Sequence, residues 1–216
     1  MTTSKDLASF LNSIFEEHAP QGDGSARFPS KTRDALLAYG ELVTLWSKRM
    51  NLTGVKDPAG LADVLYRDAL VLAFALPSTG RLVDVGSGAG APAIPLALLM
   101  PRLAFTLVEP LRKRVTFLRT AVGQLGLADR VRVVEGKIED AAFEDAGFES
   151  GFDIALSRAT FAPSRWVEIG TELAPLVCAL TSGEVPSAPE GMGCETIRYR
   201  WSTSAEPRLL LIYRRV

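Results

Sequence analysis

The sequence predicts an α/β chain: a mostly parallel, doubly wound sheet closed by a C-terminal antiparallel hairpin and preceded by a helical region. Residues 1–80 hold apolar positions at helical spacing. From Arg81 onward, short apolar runs alternate with amphipathic segments, the mark of a parallel sheet with helices on both faces. The last two runs, 194–201 and 207–214, lie too close together for a right-handed crossover and must pair as an antiparallel hairpin.

In chain order, Leu7, Phe10, Leu11, Ile14 and Phe15 recur at helical spacing, and that helix is expected to end before Pro20 and the Gly22-Asp23-Gly24-Ser25 linker. After Pro29, Ser30 can cap a second helix. Its Leu36, Leu37, Leu42, Val43, Leu45 and Trp46 form a wide apolar stripe that ends near Asn51. Asp57 caps a third helix with Pro58 in its first turn, and Leu61, Val64, Leu65, Leu70, Val71, Leu72 and Phe74 carry it to Pro77. Strands are expected at 81–85, 104–109, 131–135, 152–157 and 176–181, with helices at 92–100, 111–126, 138–146 and 163–174 between them. Between Thr181 and Gly193 glycine and proline accumulate, which predicts a loop in place of a further crossover helix.

The 216 residues, 47% hydrophobic and 23% charged, suit one main core with an appendage. The expected division is a helical extension over 1–80 packed on a core domain over 81–216. A formal net charge of -1 argues against coating nucleic acid by bulk attraction, so any RNA contact must be local. Cys178 and Cys194 fall in segments expected to be buried strands, and no C-x-x-C or His/Cys cluster is present to hold a metal. A reduced, cytoplasmic setting is expected. The first residues intersperse Lys5, Asp6, Glu16 and Glu17 with apolar positions, a pattern of neither a signal peptide nor a membrane span.

The chemistry is concentrated at Leu82-Val83-Asp84-Val85-Gly86-Ser87-Gly88-Ala89-Gly90, followed one strand later by Glu109. A glycine turn brings backbone against a small ligand, and an acid ending the next strand can take both hydroxyls of a ribose. Without the lysine and Ser/Thr of a Walker loop, the turn cannot grip a triphosphate with magnesium. S-adenosyl-L-methionine is the expected cofactor, and the sheet is that of a class I (Rossmann-like) methyltransferase. Gly86, Gly88 and Gly90 would pass beneath the methionine part of the ligand. Asp84 either orients this loop or the ligand's ammonium, or is a satisfied strand-end carboxylate. Ile138 and Glu139, after the third strand, can offer a backbone N–H and an acceptor to an adenine edge; the competing role is a helix start, with Glu139 and Asp140 favouring the dipole.

Further motifs carry a family resemblance. Tyr39-x-x-Leu42 through Trp46-Ser47-Lys48-Arg49-Met50-Asn51-Leu52-Thr53, the run from Asp84 to Leu96, Val108-Glu109-Pro110-Leu111-Arg112-Lys113-Arg114-Val115-x-Phe117-Leu118, the turn from Gly136 to Glu139, and Ser157-Arg158-Ala159 together resemble the small-subunit ribosomal RNA guanine-N7 methyltransferases, the glucose-inhibited division protein B family. The resemblance covers residues 30 to 180 and implies cofactor contacts at Gly86, Ala91, Ile138, Glu139 and Arg158. It alone singles out Arg158, which would face the substrate cleft and hold RNA phosphate, guanine or the cofactor carboxylate; the competing role is a structural ion pair. The chain departs from the family pattern in three places. The histidine of an Arg-His-x-x-Asp-Ser-Leu run on the third helix is absent, with Leu65-Tyr66-Arg67 preceding Asp68-Ala69-Leu70; Ala91 and Ala93 replace a bulky residue and a glycine; and no Lys-Gly follows the fifth strand.

Guanine N7 presents an in-plane lone pair with no proton to remove, so its methylation needs alignment more than an acid or base. Lys48, Arg49, Lys56, Arg67, Arg112, Lys113, Arg114 and Arg119 can track phosphates or simply solvate helix faces. Trp46, Trp166 and Trp201 are expected in the core more than as stacking platforms. Two other functions remain open on the sequence: a methyltransferase on a small molecule or protein, and a non-catalytic cofactor-binding relative.

Overall fold

The computed structural model describes residues 4–17, 29–55, 57–138 and 151–216. A seven-stranded sheet with strand order β3-β2-β1-β4-β5-β7-β6 organises them. Its strands are β1 (Gly80–Val85), β2 (Leu103–Glu109), β3 (Val131–Glu135), β4 (Ile154–Arg158), β5 (Leu176–Thr181), β6 (Met192–Arg200) and β7 (Pro207–Arg215). The first five pair in parallel, while β7 runs antiparallel to both β5 and β6. The expected parallel sheet with a closing hairpin is therefore the observed one.

Side-chain alternation with period two divides the sheet into two faces. Leu82, Phe105, Leu107, Ile154, Leu156, Cys178, Leu210 and Ile212 point into one core. Val83, Val85, Val108, Ala155, Val177, Ala179, Leu211 and Tyr213 point into the other. The first core is covered by α1 (Ser4–Glu17), α2 (Ser30–Ser47), α3 (Pro58–Ala62), α4 (Asp68–Ala75), α5 (Ala93–Leu99) and α6 (Arg112–Gln124). The second is covered by α7 (Pro163–Leu173), whose Trp166 is 2% exposed and donates its indole N–H to the Cys178 carbonyl at 2.8 Å. Burial at Cys178 pushes its thiol up to about 12, so it is an inert core residue.

Several local expectations hold and others do not. Asp57 caps α3 by accepting from the Gly60 amide at 2.7 Å. Ser30 is the first helical residue of α2, with Pro29 at the cap and no side-chain cap bond. Cys194 is exposed, because β6 is an edge strand with few covered positions. Leu45, expected in the buried stripe of α2, is 56% exposed. The expected helix at 138–146 begins at Ile138, the last described residue before 151, and otherwise lies outside the described residues.

The third helix is interrupted by a π-helical stretch, Asp63–Arg67, between α3 and α4. In a regular α-helix, residues five apart diverge by about 140°. The wider i→i+5 turn draws Asp63 and Asp68 toward one face. Both acids are fully buried and both meet the turn of the C-terminal hairpin. Asp63 accepts from the Ser202 and Thr203 hydroxyls and the Thr203 amide, while Asp68 accepts from Tyr199 and Trp201.

Candidate functional site

The glycine loop follows β1 at the carboxyl edge of the sheet, where the chain changes direction and open α/β folds bind ligands. The Gly86 and Ser87 amides both donate to the Val108 carbonyl, at 2.9 and 3.0 Å, and the Gly90 amide closes a turn on the Ser87 carbonyl at 2.7 Å. Gly86 has φ +76°, and a Cβ there would lie 2.1 Å from the Thr160 hydroxyl, so no other residue fits. Gly88, at φ +59°, differs: a Cβ there would approach nothing nearer than the Gly86 carbonyl at 3.9 Å. The loop thus presents an open face at Gly88 and a packed one at Gly86.

Glu109 ends β2 with its side chain turned into this loop and is 2% exposed. Its Oε2 accepts from the Gly88 amide at 2.8 Å and its Oε1 from the Leu111 amide at 3.0 Å. An ionised carboxylate offers roughly four lone-pair sites, so both oxygens retain capacity for a further donor. The two motifs separated by a strand in sequence are therefore joined by a direct hydrogen bond.

Asp84 lies at the base of the loop, 2% exposed, and its Oδ2 has no hydrogen-bond partner among the described residues. Burial pushes this carboxyl up to about 7, with Glu109 adding in the same direction and the Ser87 hydroxyl and Arg158 charge opposing. A buried oxygen without a donor is costly unless something else supplies one. Together with the open face at Gly88, it fits a ligand that carries an ammonium group and lies along the loop.

Arg158 ends β4, half-buried, and its Nη1 donates to the Val64 carbonyl at 2.7 Å and to Asp68 Oδ2 at 3.0 Å. This is the ion pair that stood as its competing role. Among the described residues its Nε and Nη2 make no hydrogen bond, so one edge of the guanidinium remains available. Ala91 is buried in the first core, and Ile138 is half-buried against the second. Gly136 precedes Ile138 and anchors its turn by donating to the Glu109 carbonyl at 3.2 Å. Glu139 and Lys56 lie outside the described residues. Arg67 is no phosphate tracker: it is 2% exposed and paired with Asp63 and Glu17.

Comparison with known proteins now decides the family. The model of the rRNA small subunit methyltransferase G family matches residues 32–175. The chain belongs to that family. Among curated members it is 40% identical over 131 residues to ribosomal RNA small subunit methyltransferase G of Methylobacillus flagellatus, covering 61% of this chain and 60% of that one. It is 34% identical over 164 residues to the protein of the same name from Anaeromyxobacter dehalogenans, covering 74% of each. The chain thus spans less than two thirds of the first relative's length and about three quarters of the second's. Among solved structures, a methyltransferase from Geobacter sulfurreducens aligns with TM-score 0.56 at 16% identity over 96% of both chains. M. capricolum TrmK in complex with S-adenosyl-homocysteine aligns with TM-score 0.57 at 10% identity, over 70% of this chain and 69% of that one. These likenesses establish the Rossmann-like methyltransferase fold.

Four family-segment residues acquire structural roles that spacing did not reveal. Tyr39, fully buried on α2, donates its hydroxyl to the Ala89 carbonyl at 2.8 Å and so pins the glycine loop from above. Ser157 and Thr160 donate to the Val85 carbonyl, at 2.8 and 3.3 Å, and fix the end of β1. Asp68 gathers Arg158, Tyr199 and Trp201 around one carboxylate. Tyr39 and Ser157 left a signal in the sequence as members of the family motifs, whereas Asp68 and Thr160 left none. Trp201 is half-exposed beneath the Arg208 guanidinium, 4.1 Å from its ring centre, and does not join the core as expected.

Proposed function

We propose that this chain is an S-adenosylmethionine-dependent methyltransferase that modifies guanine N7 in small-subunit ribosomal RNA. The observation that carries the reading is the convergence of the Gly88 amide, the Glu109 carboxylate and the unpartnered Asp84 oxygen at one loop, in a chain of this family. When bound, the cofactor supplies a methyl group already activated by a positive sulfur. Glu109 accepts the ribose hydroxyls on its remaining lone pairs, and Asp84 accepts the ammonium. Gly86, Gly88, Gly90 and Ala91 would shape the backbone cradle and Ile138 would border the adenine; Glu139, expected beside it, lies outside the described residues. Arg158, steadied by Asp68, offers its unbonded edge to the substrate or the cofactor carboxylate and is our candidate catalytic residue.

No general base is required, because N7 carries a lone pair and no proton. The protein's contribution is to hold nucleophile and methyl in line, and positioning of this kind can supply about 7–11 kcal/mol. In this reading residues 1–80 are an extension packed on a cofactor-binding domain over 81–216. The Tyr39–Ala89 bond and the shared apolar core support that packing. A ribosomal RNA substrate is consistent with work in the cytoplasm. Among the described residues, no helix is long and apolar enough to cross a membrane, and no cluster of three or more His, Cys, Asp or Glu could hold a metal.

The decisive experiment offers labelled S-adenosylmethionine together with deproteinised small-subunit RNA, intact small subunits or a metabolite extract. Label recovered as N7-methylguanosine from RNA supports the proposal. Label entering only metabolites or protein, or cofactor binding with no transfer to any acceptor, overturns it.

A further inference from the structure

A groove of ≈ 370 Å³ opens between the C-terminal end of α2 and the first turns of α6, lined by Leu45, Trp46, Arg49, Met50, Lys113 and Thr116. Its floor is apolar. Trp46 is half-buried and meets Phe117 edge-on, with ring centres 5.6 Å apart. Leu45, 56% exposed, extends the apolar surface outward. Its rim is cationic. Among the described residues neither Arg49 nor Lys113 forms an ion pair.

Charge runs against local helix preference here. Arg112, Lys113 and Arg114 open α6 with no acid in its first turn. Cations at the positive end of a helix are disfavoured, and a bound anion offsets that cost. Lys48 and Arg49 close α2 on the other side of the groove. An aromatic floor flanked by Arg49 on one side and Lys113 on the other is complementary to a single-stranded nucleic acid, which offers a π-face and a phosphate at each step.

The groove also lies at a suitable distance from the site. Tyr39, which bonds the glycine loop, and Trp46 are seven residues apart on α2, so they share a face and stand about 10 Å apart along the axis. Lys113 follows Glu109 by four residues.

We propose that this groove is a nucleotide subsite that stacks an unpaired RNA base, flanking the target guanine, on Trp46 and Met50, with the adjoining phosphates on Arg49 and Lys113. It rests on the RNA reading above and adds to it where the strand leaves the reaction centre. Stacking on an aromatic face is tolerant of sequence, so the subsite contributes affinity and register more than base identity.

The test uses the full chain saturated with S-adenosylhomocysteine and a fluorescently labelled single-stranded oligoribonucleotide containing guanine, titrated by anisotropy at several salt concentrations. Each neutralised phosphate contributes roughly -0.7 to the slope of log affinity against log salt for single strands. The Arg49→Gln/Lys113→Gln double variant is therefore expected to flatten that slope by about 1.4. Leu45→Glu alters an exposed position, so it leaves the fold intact while setting a carboxylate among the phosphates; it should weaken RNA binding at least several-fold with melting temperature and S-adenosylhomocysteine affinity unchanged. Tryptophan fluorescence should be quenched by RNA in the parent chain and much less in Trp46→Phe. Unchanged slope and affinity in both sets of variants, while the parent binds RNA, overturn the subsite and leave the methyltransferase reading standing. Competition for the groove by an apolar peptide that RNA does not displace overturns it as well. Failure of the cofactor-loaded parent to bind any RNA overturns the RNA reading and the subsite together.

Discussion

Asp84→Asn tests both the energetics and the chemistry of the loop. Burial holds the Asp84 carboxyl at about 7 in the folded chain, against an ordinary value of 3.8. Between those limits the folded state keeps a proton that the unfolded chain releases, so stability falls as pH rises through that window. At 1.36 kcal/mol per pH unit the penalty accumulates to about 4 kcal/mol, with about 3 kcal/mol of it arising between pH 5 and 8. The asparagine of the variant cannot ionise, and its buried amide costs about 1–3 kcal/mol without a partner. Urea unfolding of parent and variant across that range should therefore show the parent losing about 3 kcal/mol relative to the variant. Calorimetric titration with S-adenosylhomocysteine should show the parent binding more tightly as Asp84 ionises, and the variant binding more weakly with no such pH dependence. Removing a charge-assisted bond of about 1.5–3 kcal/mol corresponds to roughly 10- to 150-fold in affinity. Parallel pH profiles in the two proteins, for unfolding and for binding, would refute a buried, ligand-facing carboxylate at this position.

Three further variants probe the supports of the site. Glu109→Gln turns an amide NH₂ toward one of the two backbone donors, Gly88 or Leu111, and should cost about 1–3 kcal/mol in stability together with at least tenfold in cofactor affinity, read by denaturant titration and calorimetry. Tyr39→Phe leaves the Ala89 carbonyl without its buried donor and should cost about 1–3 kcal/mol, with weakened cofactor binding; an unchanged glycine loop would appear as unchanged affinity. Trp166→Ala empties the second core and removes the bond to Cys178, so a loss of about 3–5 kcal/mol is expected in urea, with little effect on cofactor affinity at temperatures where the chain remains folded.

The sheet was readable because strand and helix periods separate cleanly after Arg81, and because the six residues between the last two strands leave room only for a hairpin. The glycine loop and Glu109 were readable because each demands a residue type that few other contexts require. Their direct bond was not, since it depends on how β1 and β2 are registered, with Val85 beside Val108. Ser30 illustrates a local rule overridden by its neighbour: Pro29 already takes the cap position, and Ser30 enters the first turn. Arg67 and Leu45 exchanged expected places for one reason each. The π stretch rotates Arg67 inward against Asp63, and the groove beside α6 leaves Leu45 uncovered. Asp68 carried no periodic signal, because its partners lie 90 or more residues away in β4 and the hairpin.

Asp68 also explains how a site at the middle of the sheet comes to depend on the edge hairpin. A buried carboxylate is tolerated only when charge and hydrogen bonds surround it. Arg158 supplies the charge from the end of β4, while Tyr199 and Trp201 supply donors from the end of β6 and the turn beyond it. Arg208 in β7 approaches the same carboxylate at 3.9 Å and also covers Trp201, so the hairpin's two strands are both bound to it. Asp63, one π turn earlier, holds the hairpin turn itself through Ser202 and Thr203; burial pushes this carboxyl up, and the bonds from Arg67, Thr203 and Ser202 outweigh it and hold it low. Losing the Asp68 charge would therefore leave Arg158 held by the Val64 carbonyl alone and loosen both hairpin strands at Tyr199, Trp201 and Arg208, while Asp63 still holds the turn. The orientation of Arg158 is in this sense a property of the helical extension and the hairpin together, although the residue itself belongs to the parallel sheet.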